Sequence, residues 1–514
     1  MQQTIQQTEQ QWLFLAGFAV YLLAMIALGW WVSRRQQGEA QQSGEDFLLG
    51  GRALPFWLML GTTVATMVGT GSSMGAVGYA YQHGWGGMLY GLGGGAGILL
   101  LAWWFAPLRR FNFLTMAEEL SYYTGADKQV RHVVGVLIFI ACIGWLGAHI
   151  LGGSMYLAWL TGLSLTESKL LIATGFAIYV VIGGYTAVVW TDAVQALILF
   201  AGFVLMAGFA LAAVGGFDAI RHQADVLAAQ PDSAAGRWLP GLSLAAAVAI
   251  GVLATPSFRQ RIYSGKDVSA IRKSFVWSGV LYLFFSLIPA LLGLAALQLA
   301  PGLDNPSYAF PFLALNTLPL ALGVLVLLAG ISATLSSASS DAIAGVSVLV
   351  GDLYKALCGR LPPPQQVVLL SRLGLVAVVA LALGFALLAD NIIGYITTMV
   401  GMVLSGLFAV AVVGLRWTRL NKTGALAALS TAPLVSLAVL WTPGGTAFWG
   451  NPVIPATALS LLAAVVGSLL TRPAAISRAE ALALLAAGRV TDQPAAAPAD
   501  ETAPLAATAQ PEAR

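Results

Sequence analysis

The sequence predicts an all-α polytopic membrane protein with about 13 transmembrane helices, organised as an inverted five-plus-five repeat with two broken helices. Composition is the first ground for this. The 514 residues are 58% hydrophobic and only 9% charged, with mean hydropathy +0.81, outside the range of soluble globular chains. The second ground is thirteen apolar runs long enough to cross a bilayer, near 11–33, 55–81, 86–108, 133–160, 168–189, 193–215, 240–258, 274–300, 318–350, 369–389, 391–415, 424–441 and 453–471. The third is that the second and seventh runs, five spans apart, are interrupted in mid-membrane.

Charge placement sets the expected orientation. With the N-terminus outside, all but Lys169, Arg221 and Arg237 of the 25 Lys and Arg fall on the cytoplasmic side, as the positive-inside rule requires. The net charge of +3 adds little. Cys142 and Cys358 fall in a span and a cytoplasmic loop, so neither a disulfide nor metal or redox chemistry is indicated. The QQ-rich start is short and neutral, without a cleavage site, and the first span is expected to stay as a helix.

In chain order, residues 1–46 read as an extra helix and a polar loop. The second run, 61–78, mixes Gly, Ser and Thr through mid-membrane, and Gly69 and Gly71 lower helix propensity where a break would free the carbonyls of Ala65 and Val68. Unwound backbone at that depth must be buried or line a cavity; close packing of a Gly-rich helix is the plainer alternative. The segment 114–125, with Glu118 and Glu119, reads as amphipathic and returns the chain to the cytoplasmic surface. The fourth run carries His149 at membrane depth, a ligand contact or a side chain satisfied by a neighbouring helix. Asp192 follows a tight turn, just inside the next helix, where a cap is the ordinary role.

The outer loop 216–239 is polar, with a short surface helix expected. Pro256 removes a backbone hydrogen bond inside the seventh run, as an ordinary kink or as a functional break. The ninth run leads into 331–354, ISATLSSASSDAIAGVSVLVGDLY, whose Ala333, Ser336, Ser337 and Ser340 share one helical face. That face suits either close helix packing or a small cation, whose hydration shell hydroxyl and carbonyl oxygens replace. Asp341 follows, able to tune a cation, meet a substrate amine, titrate, or pair with a neighbouring hydroxyl. Residues 473–514 are Ala-, Pro- and Glu-rich and are expected to be a disordered cytoplasmic tail. The sequence contains no P-loop, metal-ligand cluster or nucleophile elbow, which disfavours ATP-driven transport and enzymatic chemistry.

Five motifs in this order resemble the sodium:solute symporter family: FLLGGR (47–52), GGYTAVVWTDAVQ (183–195), RQRIYSGKD (259–267), the serine helix ending GDLYK (351–355), and GLRWTRLNKTGA (414–425). The resemblance implies the leucine-transporter-like fold, with repeats in 47–215 and 240–416 around a central site, and two further helices in 417–472. It implies Na⁺ as coupling ion, with Ala65, Val68, Ala333, Ser336 and Ser337 holding a first sodium. Ser336, Ser339, Ser340 and Asp192 would hold a second.

The sugar branch has paired tyrosines where this chain has Ile250, Gly251 and Val252, and the proline branch has an aspartate where it has Met67. Pro256 is more like the proline and pantothenate branches. The pocket this implies comprises Thr66, Met67, Thr70, Ser73, His149, Thr255, Ser257, Tyr395 and Thr398. It suits a small carboxylate-bearing or zwitterionic solute, such as an amino acid or organic acid, taken up by alternating access. The expected setting is the bacterial inner membrane, the chain multi-pass with its C-terminus cytoplasmic, a monomer or weak homo-oligomer without nucleic acid. Proton-coupled symport of a neutral polar solute, a channel and a solute sensor are the alternatives.

Overall fold

The computed structural model describes residues 2–37, 48–182, 184–229 and 238–490. Most of the polar loop after the first helix, Gly183, part of the outer loop (230–237) and the last 24 residues of the expected tail lie outside the described residues. Among those described, the structure is helical, and the one β-bridge joins Leu54 to Gly265.

The chain runs α1 (Gln2–Gln37), α2 (Phe56–Met67), α3 (Ala76–His83), α4 (Met88–Trp104), α5 (Met116–Tyr122), α6 (Lys128–Thr161), α7 (Leu165–Ile182), α8 (Tyr185–Val214) and α9 (Phe217–Ala228). It continues through α10 (Trp238–Ala254), α11 (Pro256–Ser264), α12 (Val268–Phe285), α13 (Leu287–Leu299), α14 (Ala309–Asn316) and α15 (Leu320–Val348). The last helices are α16 (Pro364–Leu387), α17 (Ile392–Met399), α18 (Ser405–Arg416), α19 (Lys422–Trp441), α20 (Val453–Leu469) and α21 (Arg478–Val490).

The serine helix α15 is the axis of the molecule. Every residue from 326 to 348 is buried, which is what a helix surrounded by other helices requires. It packs against α1, α2, α6, α8 and α16. Small residues set these distances: a Cβ added at Gly202 of α8 would lie 2.3 Å from the Ala329 Cβ. Tyr21 of α1 donates to Ser332 at 3.0 Å and accepts from Gln195 of α8 at 2.7 Å, so the extra N-terminal helix is tied to both.

Both expected breaks are present. The first helix stops at Met67, Val68 leaves helical geometry (φ −90°, ψ 69°), and the chain resumes through a wide turn at Gly71–Gly75 into α3. Hydroxyls bond the carbonyls freed there: Ser72 donates to Met67 O at 3.1 Å and Ser73 to Gly69 O at 2.9 Å. At the second break Thr255 is extended and Pro256 opens α11, giving a 41° bend. Pro256 has no N–H to give the Val252 carbonyl, and Thr255 Oγ1 turns back to Gly251 O at 2.6 Å.

Each of the thirteen candidate spans coincides with a helix or a broken pair. Among the described residues nine helices are individually long and apolar enough to cross a membrane, ten with the bent α10–α11 pair counted as one. The chain is therefore a multi-pass membrane protein, without the count of thirteen being fixed.

Four local expectations change. The turn before α8 comes earlier than hydropathy implied, so α8 starts at Tyr185 and Asp192 lies two turns inside it, fully buried rather than capping. Helix α5 is buried throughout, Glu118 and Glu119 included; Glu118 accepts from Leu114 N at 2.7 Å and Glu119 faces buried Arg259, so neither carboxylate needs water. Within the tail expected to be disordered from 473, the described residues include the helix α21, because Ala481 and Leu485, four residues apart on one face, are buried against the bundle. The fifth span is cut short at Ile182. The expected outer-loop helix is α9, with Ile220, Ala224 and Leu227 buried, and the two cysteines are free.

Candidate functional site

The last turn of α2 crosses the middle of α15, and oxygen atoms from both crowd together there. Ser336 Oγ lies 3.0 Å from both Ala65 O and Ala333 O. Ser337 Oγ lies 3.1 Å from Thr66 O, 3.2 Å from Ala333 O and 3.4 Å from Ala65 O. Each hydroxyl has one proton, so each donates to one carbonyl at a time and the remaining contacts set oxygen against oxygen. A cation relieves that surplus of lone pairs. Four of the five residues expected to hold a first sodium thus converge, and the fifth, Val68, sits at the break itself.

Gly69 lets this crossing form. A Cβ there would lie 2.6 Å from Ser337 Oγ, 3.2 Å from Ser337 Cβ and 3.1 Å from His149 Cε1. The cheapest relief is rotation of the Ser337 hydroxyl off its carbonyls. Gly69→Ala is therefore expected to weaken sodium-dependent thermal stabilisation at least tenfold in sodium concentration, about 1.4 kcal/mol, while the choline baseline moves less. An unshifted sodium titration would rule this account out.

One turn further along α15 lies a second cluster. Asp192 Oδ2 accepts from Thr62 Oγ1 at 2.6 Å and from Ser340 Oγ at 3.0 Å. Arg261 of α11 reaches the same place, its Nη2 being 3.6 Å from Asp192 Oδ2. Of the residues expected to hold a second sodium, Asp192 and Ser340 meet. Ser339 instead donates to Ser336 O at 3.0 Å along its own helix, and Ser336 faces Ala65. Thr62 and Arg261 belong to the cluster although sequence reasoning passed over them. The one available signal for Thr62 is its i, i+4 spacing to Thr66.

Beside the first cluster is a cavity of about 50 Å³, walled by Thr66, Met67, His149, Thr255 and Ser257 from the expected pocket, together with Gly69, Gly71, Tyr90, Trp145, Val248, Val252, Phe258, Tyr282 and Asp341. Thr70 stands behind His149, its Oγ1 3.1 Å from Nδ1. Ser73 bonds to Gly69 O, Tyr395 donates to Gly144 O at 2.9 Å, and Thr398 is half-buried; these three are not among the cavity walls. The aromatic walls carried no periodic or motif signal.

His149 is not an isolated electropositive group. Its Nε2 lies 3.2 Å from Asp341 Oδ2, both residues being buried. Thr70 Oγ1, beside His149 Nδ1, donates to Thr334 Oγ1 at 3.2 Å, and Thr334 donates to Gly330 O. The other carboxylate oxygen, Asp341 Oδ1, is buried without a hydrogen-bond partner among the described residues.

The profile of the sodium:solute symporter family matches residues 47–431. The "Osmoregulated proline transporter OpuE" of Bacillus subtilis is 27% identical over 501 residues, covering 90% of this chain and 96% of that one. The "Sodium/glucose cotransporter" of Vibrio parahaemolyticus is 26% identical over 460 residues, covering 80% and 81%. A solved structure of a Na⁺-coupled sialic acid symporter, substrate-bound and outward-open, superposes with TM-score 0.74 at 20% identity, covering 90% of this chain and 98% of that one. At that identity the likeness concerns the fold.

Proposed function

Because this chain belongs to the sodium:solute symporter family, we propose a specific reading of how its residues divide between ion and solute. The protein is a transporter, not an enzyme, and it couples sodium to the movement of a small organic solute. The first sodium is held by the Ala65, Val68 and Ala333 carbonyls with the Ser336 and Ser337 hydroxyls. The supporting observation is the convergence of both serines on Ala65 O and Ala333 O. In the ion-free arrangement the hydroxyl protons bridge these carbonyls; sodium binding turns the protons outward and replaces the bridges with ion–oxygen contacts. The first broken helix is then clamped to α15 by the ion, which raises the affinity of the adjoining cavity for solute. A second sodium at Asp192 and Ser340 completes the ion set.

The solute carries an amine, and a zwitterion fits better than a simple carboxylate. Asp341 puts a carboxylate at the cavity wall, its Oδ2 3.2 Å from His149 Nε2 and its Oδ1 without a hydrogen-bond partner among the described residues. A solute ammonium satisfies Oδ1, whereas a bare anion meets repulsion. A cavity of about 50 Å³ is well below an ordinary ligand pocket, roughly 300 Å³ or more, so solute entry requires the helices that wall it, α2, α6 and α10 among them, to separate.

The architecture is read as two inverted repeats in 47–215 and 240–416, thirteen spans, an external N-terminus and a cytoplasmic end at Arg52, Arg109 and Arg259. The protein works as a monomer or weak oligomer in a bacterial inner membrane. Each inward sodium charge contributes roughly 2.3 kcal/mol per 100 mV.

The test is thermal stability of the purified protein against a panel of amino acids, organic acids and neutral polyols, in matched NaCl and choline chloride. Zwitterions that stabilise only in sodium support the reading; equal stabilisation in both salts removes it. Asp341→Asn is expected to weaken the best amine-bearing solute at least tenfold, about 1.4 kcal/mol, and to leave sodium stabilisation without solute in place. Unchanged solute affinity would shift the choice to neutral polar solutes.

A further inference from the structure

Arg261 is bound in a way that an ordinary ion pair does not explain. Its Nη2 has Thr62 Oγ1 at 2.7 Å, Ser340 Oγ at 2.8 Å, Thr62 O at 3.1 Å and Thr66 Oγ1 in close contact, with Asp192 Oδ2 at 3.6 Å. A guanidinium nitrogen of this kind carries two protons. It therefore has more oxygen neighbours than it can serve by hydrogen bonding. Nη1 donates to Ser257 O at 2.8 Å, but Arg261 Nε and Asp192 Oδ1 are both buried without a hydrogen-bond partner among the described residues, so the pair lacks the two-pronged geometry that arginine and carboxylate usually adopt. Three hydroxyls, a carbonyl and a carboxylate around one positive atom form a coordination shell for a small hard cation, with a side-chain nitrogen at its centre.

We propose that Arg261 is a tethered cation that occupies the Asp192 cage in this conformation and excludes sodium from it. Guanidinium and ion compete for the same oxygens, so the cage takes a second sodium only when α11 withdraws Arg261. Since α11 is the segment beyond the second break, its movement changes the number of ions bound. Buried charge also demands this exclusivity: Asp192 and Arg261 are both nearly inaccessible, and a second positive charge in the same cage would be repelled at contact distance. The inference rests on the second-sodium reading given above.

Equilibrium binding of radiolabelled sodium to the full-length purified protein, without solute, tests it. Wild-type protein is expected to bind one equivalent, and Arg261→Gln two. Asp192→Asn in the Arg261→Gln background returns the count to one, and Ser336→Ala in that background removes only the other equivalent. The same count in wild type and Arg261→Gln overturns the proposal, as does a wild-type count of two that Asp192→Asn lowers to one. No bound sodium in any of these proteins would instead overturn the sodium reading itself. If Arg261→Gln is too unstable to purify in choline, sodium is expected to rescue it, because the ion replaces the missing positive charge beside Asp192. Equal instability in sodium and choline counts against the proposal, and the neutral pair Asp192→Asn with Arg261→Gln separates loss of the cage from general misfolding.

Discussion

A protein carrying both Ser336→Ala and Ser337→Ala is expected to lose its response to sodium while keeping its fold. The two hydroxyls are the only side-chain contacts described between α15 and the Ala65 and Thr66 carbonyls. Deleting them costs about 1 kcal/mol of net hydrogen bonding each, an effect visible in choline but small beside a core buried on every side. The loss in sodium is larger. Stabilisation by a ligand at a hundred times its dissociation constant is about 2.7 kcal/mol, and without two of five ligand oxygens that increment disappears. The readout is the difference in thermal midpoint between matched NaCl and choline chloride, paired with uptake into proteoliposomes under an imposed sodium gradient. A double variant that retains the sodium shift would remove Ser336 and Ser337 from the ion site, and concentrative uptake that persists would do the same for coupling.

The features that were legible in the sequence were those written locally. Apolar run length located the helices, Pro256 located the second break, and the Gly-Ser-Thr mixture located the first. The serines of α15 could be placed on one face because helical spacing is a property of a single segment. The partners could not be read this way. Thr62 meets Asp192 across 130 positions, His149 meets Asp341 across 192, and Arg261 meets Thr62 across 199. No periodicity within one segment encodes a meeting of that kind. His149 could be marked as ionisable from its own segment, but its pairing with Asp341 could not, since that carboxylate stands on another helix. Glu118 and Glu119 misled in the opposite direction: adjacent acidic residues read as a solvated face, and only the packed structure supplies the arginine and tyrosines that allow one of them to be fully buried.

The contacts made around the two broken helices differ in kind. At the crossing of α2 with α15 the contacts are hydroxyl to carbonyl, with more oxygens than protons to join them. At the basic end the contacts are permanent charges and backbone bonds: Arg52 donates to Phe113 O and Tyr263 O at 3.1 and 3.2 Å, and Leu54 and Lys266 pair through Ser264 and Leu54 carbonyls at 3.3 and 3.2 Å. On the proposed sodium reading the crossing responds to an ion, whereas the closure made by charged and backbone contacts at the basic end needs none.

Glu119→Ala tests that closure and is expected to be the most destabilising single change considered. Glu119 Oε2 lies 3.6 Å from Arg259 Nε, with neither side chain exposed, and Glu119 accepts hydrogen bonds from Tyr123 and Tyr263. The Arg259 guanidinium lies over the Phe105 ring, 3.3 Å from its centroid, so cation–π attraction supplements the pair. Removing the carboxylate leaves a buried positive charge and two phenols without their acceptor, a loss of about 3–5 kcal/mol for a broken buried pair. Glu119→Gln keeps an acceptor without the charge and should fall between. Combining Glu119→Ala with Arg259→Met is expected to recover much of the loss, because the uncompensated charge is gone. The recovery distinguishes electrostatic from packing causes through a double-mutant cycle of thermal midpoints. Strictly additive losses in that cycle would mean that the pair contributes no coupling, and that the segment entering α5 is held to α11 by the aromatic contact of Phe113 with Tyr263 instead.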